Sequence, residues 1–105
     1  MAADSFTVTN VPTGVTNTLT GTTADAVTVT STGQACRINV LNRSTSNTLH
    51  VRPDGVTAVA DADGTLQVPA GGSVEWQVGP GVSVVSIVGN GDSYSVTGIP
   101  QSAWV

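Results

Sequence analysis

The 105-residue sequence contains no lysine, and its only basic side chains are those of Arg37, Arg43 and Arg52. Three arginines cannot form a basic patch that matches a phosphate backbone or an anionic lipid surface. We therefore expect neither a nucleic acid nor a membrane as a partner. Charged residues make up only 10% of the chain, against a typical fraction of about 25%. The net charge of −4 is small, so the composition does not indicate a disordered chain.

Cysteine is also scarce, and long apolar runs are missing. Cys36 is the single cysteine, which excludes an internal disulfide and favours synthesis in a reducing cytoplasm. No apolar run approaches the roughly 20 residues of a membrane-spanning helix. The first residues lack the charged and apolar regions of a secretory signal, so we expect none.

Valine and threonine dominate instead, with 18 and 16 copies. Both are β-branched and favour strands over helices. Strand-like segments separated by Gly, Pro, Asn and Asp recur about every 8–12 residues, a spacing typical of a β-sandwich or barrel. We predict an all-β protein: a single antiparallel β-sandwich, Ig-like or jelly-roll-like, of about eight short strands. The domain covers residues 1–105, with extended segments at 1–5 and 98–105. The predicted strands cover 5–10, 17–20 (a short piece), 26–31, 36–41, 48–52, 65–68, 73–78, 82–88 and 94–97.

The predicted core follows from alternation along these strands. The most apolar run, 82–88, is expected at the centre of a sheet. We expect mainly valine inside, together with Ile38, Leu66, Trp76 and Ile87. The last strand is expected to end at Thr97.

The sequence offers little catalytic chemistry. His50 is the only histidine and lies in a predicted strand, where a sheet-surface or hydrogen-bonded role is expected. Cys36 alternates with apolar neighbours, which indicates a buried thiol; a Cys–His nucleophile pair is the alternative. Asp61-Ala-Asp63-Gly64 predicts an Asp-Gly turn, and a calcium loop with backbone ligands stays open. We expect no enzymatic activity, no cofactor and no metal.

An apolar tail is the most unusual feature for a monomer. Aromatic and apolar residues near both ends suggest a protein interface. Two alternatives stay open for the tail: it folds back onto the sandwich, or it reaches a neighbouring subunit with Trp104 as a buried anchor. The candidate interface residues are Phe6, Ile99, Pro100, Trp104 and Val105.

Several segments together resemble a known group of proteins. They are Ile38-Asn-Val-Leu-Asn42, Thr48-Leu-His-Val-Arg-Pro-Asp-Gly55, Ala60-Asp-Ala-Asp-Gly64, Gln67-Val-Pro-Ala-Gly71 and Val84-Val-Ser-Ile-Val-Gly89. This pattern over residues 36–97 is similar to small β-sandwich proteins from the virions of tailed bacteriophages.

The resemblance implies a capsid decoration, or cement, protein. Such a protein would be made in the host cytoplasm, bind the major capsid protein on the outer surface of the virion as a homotrimer, and stabilise the head. The alternative is a receptor- or carbohydrate-binding module of a phage tail or fibre. The resemblance transfers no catalytic residue.

Overall fold

Two packed β-sheets form the protein, and the computed structural model describes residues 3–104. The larger sheet has the strand order β1-β3-β8-β5-β6, and the smaller sheet has the order β2-β9-β4-β7. The predicted all-β sandwich is confirmed. Within residues 3–104 no helix is long and apolar enough to cross a membrane. The strands are β1 (Ala3–Val8), β2 (Thr13–Thr18), β3 (Asp25–Ser31), β4 (Cys36–Asn42), β5 (Leu49–Arg52), β6 (Leu66–Val68), β7 (Ser73–Val78), β8 (Gly81–Val88) and β9 (Ser93–Pro100), followed by a 3-10 helix at Gln101–Ala103.

The core lies between the sheets and is built mainly from valine, as predicted. Buried and half-exposed residues alternate along β3, β4 and β9, because successive side chains of a strand point to opposite faces. Strand β8 is the third of five strands in its sheet, which confirms its predicted central position. The prediction for Leu66 is wrong: its side chain is 39% exposed, because β6 is an edge strand. Trp76 is only partly buried and packs against the core from the edge strand β7.

One strand pair departs from the predicted antiparallel arrangement. Strands β1 and β3 pair in parallel, with Ser5 opposite Thr28 and Thr7 opposite Thr30. The chain leaves the larger sheet after β1, forms β2 in the smaller sheet, and returns as β3 in the original direction. The crossover through the opposite sheet therefore produces the parallel pair.

Both extended terminal segments contain strand residues. Strand β1 begins at Ala3, inside the segment 1–5, and β9 continues three residues beyond the predicted end at Thr97. Pro100 does not break β9, because it forms a non-hydrogen-bonded pair with Cys36: the backbone bond from Arg43 to Ser93 places the hydrogen-bonded pairs at alternate positions. The ladder to β4 therefore needs no N–H from Pro100.

The predicted strands at 5–10 and 17–20 leave Gly14 between strands, which is wrong, because β2 runs through Gly14 from Thr13 to Thr18. A β-carbon on Gly14 would overlap the carbonyl oxygen of Val96 on the neighbouring strand. Glycine permits this close backbone approach within a strand, so its presence here does not indicate a turn.

Candidate interaction surfaces

The outer face of β1, β3 and β8 carries no charged side chain over two adjacent rows. One row runs from Ser5 through Thr28 to Val84, and the other from Thr7 through Thr30 to Val82. Val82 is 68% exposed, although it lies on the central strand of the sheet. We call these six residues the uncharged face. A surface of hydroxyl and methyl groups can be desolvated without burying a charge, which suits contact with another protein.

A loop covers the remaining part of this outer face. Residues 53–65 cross β8, where the backbone N–H of Ala58 donates a 2.8 Å hydrogen bond to Oγ of Ser86. Ala58 also forms a small buried cluster with Ala24 and Val88. The loop thus covers the end of the outer face at Ser86 and Val88 and leaves the end at Val82 exposed.

Arg52 holds the base of this loop. Its Nε and Nη2 contact the two carboxylate oxygens of Asp54 at 2.9 and 3.1 Å, and its Nη1 donates to the Asp63 carbonyl at 3.0 Å. The hydrogen bonds from Arg52 lower the pKa of Asp54, and the carboxylate in turn raises the pKa of Arg52. In this ion pair the opposite charges of Arg52 and Asp54 offset each other beside the uncharged face.

The Asp61–Asp63 segment of the loop is a turn. Asp61 has a φ of +61°, and its Oδ1 accepts a hydrogen bond from Nε2 of Gln67 at 3.0 Å. Aspartate tolerates this left-handed conformation better than most residues. Among residues 3–104 no group of three or more His, Cys, Asp or Glu side chains is placed to hold a metal ion.

An apolar cavity of about 370 Å³ lies between this loop and the segment before β3. Its walls include Ala24, Ala58 and Val88, with the exposed Val59 at the rim. Small apolar side chains and two threonines form the lining, so the cavity offers volume without charged groups.

The C-terminal segment folds back onto its own molecule. After the 3-10 turn, Nε1 of Trp104 donates a 2.8 Å hydrogen bond to the carbonyl of Ile99. Cζ of Arg37 lies 4.3 Å from the centre of the Trp104 ring, a cation–π contact. Arg37 and Ile99 are paired neighbours on the outer face of the smaller sheet, so Trp104 covers that face and does not enter the core. Up to residue 104 the tail therefore folds back onto its own molecule, but it lies on an outer face and does not plug the sandwich.

Two other candidate interface residues lie on the inner faces of their strands. Pro100 is buried at the end of β9, and Phe6 is partly buried and packs against the core. The Phe6 ring lies close to Gly98 on the inner face of β9. Ile99 and Trp104 keep partial exposure on the outer face of the smaller sheet. Val105, the fifth candidate, lies outside the described residues.

Cys36 and His50 project into different parts of the molecule. Cys36 points into the core from β4 and is fully buried. His50 alternates with the core residues Leu49 and Val51, so it points away from the core on the larger sheet. Its Nδ1 atom is buried without a hydrogen-bond partner among the described residues. The two side chains therefore do not form a nucleophile–base pair.

Two polar contacts lie between the sheets that the sequence analysis does not predict. The Tyr94 hydroxyl donates a 2.8 Å hydrogen bond to Oδ2 of Asp25, and both residues are buried. At the nearby edge, Nδ2 of Asn17 donates to Oδ2 of Asp4 at 2.8 Å, which joins β2 to β1 across the two sheets. Asp25 occupies the same face of its strand as Val27 and Val29, so the two-residue period was the signal that could have placed it inside.

Comparisons with known proteins identify the fold. No protein-family model matches the chain, and no curated protein matches its sequence. PliG of Aeromonas hydrophila, a periplasmic inhibitor of g-type lysozyme, is similar in structure with a TM-score of 0.54 and 14% identity, over 95% of this chain and 100% of that one. The pre-peptidase C-terminal domain of a Bacillus anthracis collagenase has a TM-score of 0.53 and 19% identity, over 90% of this chain and 91% of that one. At these identities the likeness shows a common β-sandwich fold.

Proposed function

We propose that this protein is a non-enzymatic structural protein of a bacteriophage virion, a decoration protein that binds the major capsid protein on the outside of the head. The uncharged face is the observation that carries the proposal. The virion location comes from the resemblance over residues 36–97, and the β-sandwich fold is compatible with a structural or binding module.

The uncharged face fits a contact with a large, repetitive protein surface. Its three threonines and one serine can satisfy their hydroxyl groups with water or with a partner, and its two valines supply apolar area. Val82 and, in the adjoining loop, Val56 are 68% and 50% exposed, an arrangement that another protein could cover. The Arg52–Asp54 ion pair beside this face leaves little net charge to desolvate.

The stabilising effect follows from mass action. A protein that binds the assembled capsid and not its separated subunits lowers the free energy of the assembled state. Many equivalent contacts then add up, even when each contact is weak, and self-association as a homotrimer would multiply them further.

Capsids that lack the protein provide the test. We expect the purified protein to bind them and to raise the temperature at which they release their contents. Val82→Lys places a charge on the uncharged face at an exposed position and should weaken binding at least tenfold, because binding would bury an unpaired ammonium group.

Thr18→Lys is the matched control, since it adds the same charge at an exposed position of β2 on the opposite sheet. It should bind like the wild type. Equal binding by both variants would refute a role of the uncharged face, and absence of binding by the wild type would refute the proposed function. Binding to glycans in place of capsids would favour the tail or fibre alternative.

A further inference from the structure

Strand β7 is an edge strand with an open hydrogen-bonding side. It pairs only with β4 in its sheet, with Ile38 opposite Trp76 and Val40 opposite Val74. The Asn42 N–H donates to the Gly72 carbonyl at 2.9 Å, so the hydrogen-bonded pairs of this ladder involve the even-numbered residues of β7. The N–H and C=O groups of Ser73, Glu75 and Gln77 therefore point outward. Within residues 3–104, β7 pairs with no strand other than β4, and no backbone bond from a turn or loop reaches these groups.

This edge has few of the features that normally prevent strand addition. Protected edges carry lysine, proline, a bulge or a covering loop. Residues 73–78 contain no proline and no basic residue, and their register with β4 is continuous. Glu75 is the single charged residue of the strand.

The same side of the sandwich is incompletely closed. The inward-facing side chains of β7, Val74, Trp76 and Val78, are only partly buried. Leu66 on the neighbouring edge strand β6 is 39% exposed. At the opposite side, by contrast, Asp4 and Asn17 link β1 to β2 and Val8 is fully buried.

We propose that β7 pairs with β7 of a second copy of this chain, antiparallel about a two-fold axis, to form one continuous sheet. The charge pattern selects the register. Centring the axis on Trp76 places Glu75 opposite Gln77 of the second copy, and Gln77 opposite its Glu75, so that each carboxylate meets an amide donor. Centring the axis on Glu75 would set two carboxylates directly against each other.

The selected register also covers the open side of the core. The two Trp76 residues form the non-hydrogen-bonded pair at the axis, where side chains approach most closely, and Val74 lies opposite Val78 of the second copy. The half-buried apolar row thus becomes continuous across the two molecules. This pairing does not depend on the proposed capsid function, nor on the surface that a homotrimer would use.

The molar mass in solution tests the proposal, measured by sedimentation across a concentration series. Gln77→Glu places two carboxylates opposite each other at both symmetric positions, so the dissociation constant should rise about tenfold and the average mass at a given concentration should fall toward that of the monomer. The double variant Glu75→Gln/Gln77→Glu exchanges the two groups, keeps the net charge of the wild type and should restore the wild-type mass. Gln101→Glu adds the same charge outside β7 and should leave the mass unchanged.

Amide hydrogen exchange locates the contact. The backbone amides at positions 75 and 77 should be protected in the wild type and the double variant and should exchange faster in Gln77→Glu. The amides of Trp76 and Val78 should stay protected in all three proteins, because they face β4. Identical masses for the wild type and Gln77→Glu, or a double variant that behaves like the single one, would overturn the proposal.

Discussion

Single residues set how closely the two sheets approach. Gly98 lies buried on the inner face of β9, where a β-carbon would overlap Cγ2 of Val8 and lie 3.2 Å from Cε2 of Phe6. The absence of a side chain at this position makes room for Val8 and Phe6 from the facing sheet. The partly buried Phe6 ring therefore packs beside Gly98 on the inner face of the sandwich.

We expect Gly98→Ala to lower the free energy of unfolding by roughly 1–3 kcal/mol, because overpacking forces Val8 or the backbone to move. Urea denaturation measures this change. Gly79→Ala is the matched control: nothing lies within 4 Å of the added carbon, so its effect should be within about 0.5 kcal/mol. The double variant Val8→Ala/Gly98→Ala should lose less stability than the sum of the losses of the two single variants, because the two residues contact each other. Equal losses in Gly98→Ala and Gly79→Ala would contradict the packing argument.

At the scale of elements, a buried polar contact connects the two sheets. Tyr94 of β9 and Asp25 of β3 belong to different sheets and are joined by a 2.8 Å hydrogen bond. Burial, and secondly the bond to Asp25, raise the pKa of the Tyr94 hydroxyl well above its ordinary range. The folded protein therefore holds the proton more tightly than the unfolded chain does.

The resulting stability is fully present below about pH 10, the ordinary pKa of tyrosine, and is lost as the pH rises further. Tyr94 is the single tyrosine, so the ultraviolet absorbance of tyrosinate reports on it alone. We expect this signal to appear only as the protein unfolds in alkali. Tyr94→Phe should lower the stability at neutral pH by about 1–2 kcal/mol and remove its part of the alkaline slope. Reversible formation of tyrosinate near pH 10 in the folded protein would contradict this account.

For the whole molecule, acid should be destabilising in spite of the low charge content. Asp4 links β1 to β2 through Asn17, and Asp54 anchors the 53–65 loop through Arg52. Hydrogen bonds, first from Asn17 and Arg52 respectively, lower the pKa of both carboxyl groups. Their stabilising contribution is present above the ordinary carboxyl pKa of about 4 and is lost as the pH falls through the lower folded values.

We expect the urea midpoint to be constant from about pH 7 to pH 5 and to fall below about pH 4. Asp4→Asn and Asp54→Asn should each have a shallower acid slope than the wild type, because each variant lacks one of the groups that take up a proton. Two variants with the full wild-type slope would show that other carboxyl groups cause the loss of stability in acid.

Much of the fold is encoded by local alternation. Cys36, Ile38 and Val40 are buried on one face of β4 as their spacing predicts, and the valine-rich segment 82–88 lies centrally in its sheet. The wrong predictions of strand bounds occur at glycine and proline, which usually interrupt strands but do not do so at these two positions. Gly14 lies within a strand at a point where a neighbouring carbonyl leaves no room for a β-carbon, and Pro100 ends β9 at a position that needs no N–H.

The class of fold follows from the sequence alone. A period of two and an excess of β-branched residues require only neighbouring positions, so they can be recognised without any partner strand. The position of Trp104 over Arg37, the bond between Tyr94 and Asp25 and the parallel pairing of β1 were decided by the tertiary structure. Each joins residues distant in sequence, and no local preference specifies which distant strand a segment will meet.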